Sequence, residues 1–123
     1  MSFLPGHILE QLPNMSRNDF DAQSFGIVQV DDAGVIKMYN RWESELVGVP
    51  VASAEGRNFF TQVAVCTNNR LVYGKFKEGV AADNLDHEFN YTFTYKTKPT
   101  NVQIRMFRHK ATKTNWVFVG SRV

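Results

Sequence analysis

The stretch EFNYTFTYK, residues 88–96, decides the fold of this chain. Phe89, Tyr91, Phe93 and Tyr95 fall on one side of an extended backbone, and Glu88, Asn90, Thr92, Thr94 and Lys96 on the other. Successive side chains of a strand point to opposite faces, so this spacing predicts a strand with one apolar and one polar face. Lys98-Pro99-Thr100-Asn101 then reads as a turn, because proline presets φ and removes a backbone donor. Alternation resumes at 102–109 through Val102, Ile104 and Met106, and residues 115–119 add a compact apolar strand.

Upstream, residues 25–30 and 35–39 read as two strands of a hairpin around Asp31-Asp32-Ala33-Gly34, with Gly34 able to take positive φ. Short helices fill the space between the two groups of strands. Asn40 is a candidate N-cap for a helix through Val47, ended by Gly48 and Pro50. Residues 56–65 predict a short helix with Phe59, Phe60 and Val63 inward. Over 71–82, Val72, Phe76 and Val80 fall four apart on one helical face, and Gly74 and Gly79 weaken that helix without breaking it. The order strand, strand, helices, three strands predicts an α+β fold, with a five-stranded antiparallel sheet and helices on one side. Residues 1–24 read as an N-terminal cap. Ile8, Leu9 and Leu12 suit one short amphipathic helix that Pro13 stops, and 14–24 form an irregular or weakly helical connection. The expected division is a cap at 1–24 on a core at 25–123, one domain overall.

Composition narrows the function. The chain has 123 residues, 43% hydrophobic and 21% charged, as in an ordinary globular domain. Its apolar runs are too short to span a bilayer, so no membrane partner is expected. The N-terminus lacks a basic start followed by an apolar core, which argues against a secretory signal and for a cytoplasmic location. Fourteen Lys and Arg against twelve Asp and Glu leave a net charge of +2. The basic residues are scattered except for Arg105, Arg108, Lys110 and Lys113. That group reads as a solvated strand and its turn rather than a phosphate site, and no nucleic-acid partner is expected. A single cysteine excludes an internal disulfide and an all-cysteine zinc site, and His7, His87 and His109 lack metal-ligand spacing.

Cys66 is the most reactive side chain. It reads either as a small buried hydrophobe or as a covalent attachment point. Following Val63-Ala64-Val65, it falls at the C-terminal end of a short helix, the end that disfavours a thiolate. No histidine adjoins it in sequence, and only folding can bring His87 or His109 near. Thiol-enzyme chemistry is therefore poorly supported, and no catalytic residues are expected. Glu43, four residues after Tyr39, reads as a solvated helix residue, and Tyr39 as the end of a strand. Residue types alone stop at a ligand-binding or interaction domain.

Taken together, NFF at 58–60, VAVCT at 63–67, YGKFKEGVA at 73–81, Asn84-Leu85, FNYTF at 89–93, Pro99-Thr100 and WVFV at 116–119 resemble the photoactive yellow protein family. This is a light-sensing branch of the PAS fold. Phe25-Gly26 and YNRWE at 39–43 extend the resemblance, which covers about 25–123. It implies a PAS-like core and a blue-light photoreceptor rather than an enzyme. It implies p-coumaric acid, a 4-hydroxycinnamoyl group, carried as a thioester on Cys66, with Tyr39 and Glu43 hydrogen-bonded to its phenolate. The implied pocket is Val28, Val47, Val49, Phe59, Val63, Ala64, Thr67, Phe93, Thr94, Tyr95 and Thr97. The implied cycle is trans-to-cis isomerisation, proton transfer from Glu43 and loosening of the cap, read by a downstream signalling protein that the sequence does not identify. A monomer or weak dimer is expected.

The residue types suit that chemistry. A buried phenolate is costly unless hydrogen-bonded, and Glu43 donates only when burial keeps it protonated. Several positions depart from the best-known family pattern. Val49 stands in place of an arginine, Val47 of a threonine, Thr97 of a methionine, Thr94 of an acid and Val65 of a proline. These bear on the absorption maximum, the phenolate pKa and the recovery rate. A PAS-like interaction or dimerisation module that no longer senses light is the alternative.

Overall fold

A computed structural model of the chain describes residues 4, 5, 7–94 and 99–121. Five strands, β1 (Gly26–Val30), β2 (Ile36–Tyr39), β3 (Asp86–Phe93), β4 (Thr100–His109) and β5 (Thr114–Ser121), form one antiparallel sheet in the order β2-β1-β5-β4-β3. The last strand lies at the centre, with Ile27 opposite Phe118 and Val28 opposite Val117. Strand alternation sorts the side chains into two cores. Val28, Val30, Val102, Ile104, Met106, Val117 and Val119 face the helices. Ile27, Met38, Trp116 and Phe118 face the other way, where Leu4, Ile8, Leu12 and Phe20 of the N-terminal segment cover them.

Thr100 and Asn101, expected in a turn, already belong to β4. Asn101 pairs with Thr92, whose hydroxyl bonds its side chain at 2.9 Å, and this extends the ladder to the end of β3. Lys98 and the last residues of the expected 88–96 strand, 95 and 96, lie outside the described residues.

The helices are more broken than periodicity alone suggests. In the N-terminal segment, α1 (Ile8–Gln11) leads into a 3-10 turn, Leu12–Asn14. Pro13 sits in the first turn of that piece, where a missing N–H costs nothing, so it redirects the chain without ending its helical path. The supposed irregular stretch holds α2 (Arg17–Asp21), closed by a capping box between Ser16 and Asp19. Next, α3 (Arg41–Val47) begins at Asn40 and ends at Gly48, whose φ of +74° suits glycine. A short α4 (Val51–Ala54), not expected, follows Pro50.

The expected helix over 56–65 is instead a π turn, Phe59–Val63, capped by Asn58, followed by a separate 3-10 turn, Val65–Thr67. The expected helix over 71–82 is a π turn, Arg70–Gly74, followed by α5 (Lys75–Ala81). A π turn adds a residue to the hydrogen-bonded ring and so rotates the next segment of helix. Hence Val72 and Phe76 are buried, while Val80 is only partly covered and Gly79 is buried against Leu85.

Asn40 is the junction between these layers. It is fully buried. Its Oδ1 accepts from the amides of Ile27 (3.0 Å) and Glu43 (3.2 Å), and its Nδ2 donates to the carbonyls of Phe20 (2.9 Å) and Phe25 (3.0 Å). One side chain thus joins α2, β1 and the start of α3. Asn40→Ala leaves the buried amides of Ile27 and Glu43 without this acceptor, takes one donor from the carbonyls of Phe20 and Phe25, and removes a helix cap. It is expected to cost about 2–4 kcal/mol, seen as a lower urea midpoint with an unchanged slope.

Candidate functional site

Tyr39 ends β2, and Glu43 lies in the first turn of α3. Both are fully buried. Neither carboxyl oxygen of Glu43 has a hydrogen-bond partner among the described residues. Burial pushes its pKa from an ordinary 4.5 up to about 8, because the charged form loses its hydration. The group is therefore a neutral acid at pH 7, a donor for which the described residues supply no acceptor. This overturns the reading of Glu43 as a solvated helix residue. The Asn40 cap directs α3 so that its first turn lies against β1, which carries the side chain inward.

Cys66 is a free, half-buried thiol on the 3-10 turn Val65–Thr67, rather than at the end of a longer helix. Its carbonyl is held from two sides. The Tyr91 hydroxyl donates to it at 2.6 Å and the Asn69 side-chain amide at 3.0 Å. Asn69 also donates to the Tyr91 oxygen at 2.9 Å and, through Oδ1, caps Val72. Thr67 is buried and bonds back to the Ala64 carbonyl. Sequence reasoning did not single out Asn69 or Tyr91. Asn69 carried a local signal, an amide side chain just before a helical segment. Tyr91 carried only its strand phase, and its partner lies 25 residues away.

Packing gathers most of the implied pocket. Val28, Tyr39, Val47, Phe59, Val63, Ala64 and Phe93 share one apolar cluster, with Val49 and Cys66 packed against it. The Ser44 hydroxyl bonds the Val49 carbonyl at 2.7 Å and folds that segment back on α3. Thr94 is exposed and stands apart from the buried set, while Tyr95 and Thr97 lie outside the described residues.

The N-terminal segment is bonded to the chain around Tyr39. Besides the Asn40 bond to Phe20, Asp21 accepts from the Arg41 amide at 2.8 Å. Arg17 pairs at 2.8 Å with Glu55, whose carboxylate also accepts from the Tyr39 amide at 3.1 Å. Elsewhere, Arg105, Arg108 and Lys113 of the basic group are paired internally. Arg105 is bidentate to Asp86, Arg108 bonds Asp83, Asp32 and Asn115, and Lys113 bonds Asp83. His87 stacks on Phe89, and His109 bonds Thr112. Among the described residues no group of His, Cys, Asp and Glu could hold a metal, and no helix is long and apolar enough to cross a membrane.

Comparison with known proteins matches this architecture. No family model matches the chain. A photoactive yellow protein from Halochromatium salexigens is 40% identical over 112 residues, 91% of this chain and 90% of the relative. The crystal structure of the photoactive yellow protein domain of the sensor histidine kinase Ppr from Rhodospirillum centenum is 41% identical. It superposes with a TM-score of 0.85 over 90% of this chain and 97% of that one. The PAS domain of an HTR-like protein from Haloarcula marismortui shares the fold, with a TM-score of 0.63 at 13% identity over 92% and 97% of the two chains.

Glu43 makes the chromophore-free chain pH-sensitive in a definite direction. The folded chain holds this proton more tightly than the unfolded one, so the stabilisation is complete below about 4.5 and is lost as pH rises towards about 8. Urea unfolding across that window is expected to show a slope of up to ~1.4 kcal/mol per pH unit from this group, and Glu43→Gln to flatten it. A parent and variant with equal slopes would show that Glu43 is not held protonated.

Proposed function

The chain belongs to the photoactive yellow protein family of PAS-fold photoreceptors, and on that premise we propose that it senses blue light through a p-coumaroyl thioester on Cys66. The observation that carries this reading is the buried, neutral Glu43 carboxyl with no acceptor among the described residues. An unsatisfied buried donor costs about 1–3 kcal/mol, so a core that keeps one fits a ligand that completes it. An aromatic oxyanion is such an acceptor, and the apolar lining of Val28, Val47, Phe59, Val63 and Phe93 suits a flat ring. Cys66 is the single thiol of the chain and is half-exposed, so it can be loaded from solvent. When bound, the group supplies a light-absorbing phenolate conjugated to a thioester and a double bond that isomerises from trans to cis.

The chain's own residues do the rest. Tyr39 and Glu43 would each donate an O–H to the phenolate oxygen and offset its lost hydration. The hold of Tyr91 and Asn69 on the Cys66 carbonyl fixes the attachment turn while the rest of the pocket responds. Glu43 would then pass its carboxyl proton to the phenolate oxygen to which it donates, leaving that oxygen neutral and the carboxylate charged. The carboxylate left behind is buried without a partner, a cost of several kcal/mol in a fold whose total stability is of order 5–15 kcal/mol. The contacts nearest the strain are those of α2 with Asn40 and Arg41, and with Glu55 beside Tyr39, so the N-terminal cap loosens first. The Rhodospirillum centenum relative, a domain of a sensor histidine kinase, supports a signalling protein as the downstream partner.

Incubation with an activated p-coumarate is the direct test. The parent is expected to turn yellow and gain one p-coumaroyl mass on Cys66, while Cys66→Ala stays folded and colourless. A parent that remains colourless with a free thiol would leave the light-insensitive interaction module as the reading. In the loaded protein, Glu43→Gln is expected to move absorption to longer wavelength, since an amide donor holds charge less firmly on the phenolate oxygen. Tyr39→Phe is expected to raise the phenol pKa by roughly 1–2 units, one charge-assisted bond being worth about 1.5–3 kcal/mol. Spectrophotometric titration reads both.

A further inference from the structure

Gly26 opens β1 opposite Val119. Its φ is not positive, so the backbone there does not call for glycine. What calls for it is space. A Cβ at this position would overlap Oε1 of Glu43 and stand 3.1 Å from its Cδ and 3.3 Å from its Cβ. Asn40 bonds the carbonyl of Phe25 and the amide of Ile27, the two neighbours of Gly26, while capping α3 through the Glu43 amide. The helix that carries the acid is therefore tied to the strand on both sides of the glycine and cannot back away from it. Glycine in a strand is entropically costly and contributes no packing, so its use beside Ile27, Val28 and Val30 asks for a reason.

We infer that Gly26 is the positioning residue for the Glu43 carboxyl. The bare backbone of β1 is the slot in which the acid lies, and the missing side chain, rather than a hydrogen bond, decides where its donor points. The consequence for light absorption rests on the reading that Glu43 bonds the phenolate; the slot itself does not. The overlapping atom is the far end of a flexible side chain, so Gly26→Ala is expected to displace the carboxyl while α3 stays in place.

A double-mutant cycle on the chromophore-free chain isolates this contact. Urea midpoints are measured for the parent, Gly26→Ala, Glu43→Ala and the double variant. Gly26→Ala is expected to lower the midpoint in the parent, and the drop to shrink by at least half when Glu43 is already alanine. An equal drop in both backgrounds would overturn the inference. If Gly26→Ala does not fold, recovery of folding in the double variant supports the slot, and its failure to recover overturns it. After loading with activated p-coumarate, Gly26→Ala is expected to shift absorption in the same direction as Glu43→Gln. Coupling in the cycle with an unmoved spectrum would uphold the slot and remove the contact between Glu43 and the phenolate.

Discussion

A protonated carboxyl without an acceptor among the described residues, closed inside a packed core, is the constraint on which the rest of this molecule depends. Removing an ionisable group from water favours its neutral form, and here burial is the cause of the raised pKa. The acid stays because its surroundings hold it there. Asn40 starts α3 in the right place and ties it to β1, and β1 presents bare backbone at Gly26. The apolar cluster around Tyr39 closes over the group. A fold built for stability alone would fill this position with a hydrocarbon side chain. Keeping a carboxylic acid instead stores a proton whose release the surroundings resist.

The same residues connect the acid to the far side of the sheet. Asn40 and Arg41 bond the N-terminal segment directly, the Tyr39 amide bonds Glu55, the partner of Arg17, and Glu43 follows one turn later. The N-terminal core is separate from the main one. It consists of Leu4, Ile8, Leu12 and Phe20 against Phe25, Ile27, Met38, Trp116 and Phe118. A small second core tied through polar bonds to one short stretch of chain is the kind of unit the proposed loosening of the cap calls for. By contrast, the Arg108 network joins the β1–β2 turn, the loop after α5 and strands β4 and β5 at the other end of the sheet. Its charges pair within the fold.

Much of this was legible in the residues. Alternation over 88–96, 102–109 and 115–119 located the last three strands, and Asn40 and Gly48 bracketed α3, because each signal lies within one element. Strand phase and helix caps are local properties, set by pleat geometry and by the orphan amides of a first helical turn. The resemblance over 58–81 and 39–43 then put Cys66, Tyr39 and Glu43 forward together, where residue types alone had assigned Glu43 to solvent.

Other features were decided only when the chain closed on itself. Periodicity did not reveal the two π turns, because a single added residue rotates a helix without altering the spacing of its apolar residues enough to be read. Nor does local pattern place β5 between β1 and β4, a choice made by matching Phe118 and Val117 to residues of β1 about 90 positions earlier. The hold of Tyr91 on Cys66 and the seat of Glu43 on Gly26 are of the same kind. Each joins residues from different elements, and each depends on distances of a few tenths of an ångström. The sequence by itself located the five strands and the Asn40 cap that begins α3, since those depend on neighbours a few positions away. Only the tertiary structure decided that the acid is neutral, because its pKa is set by the water that the whole core excludes.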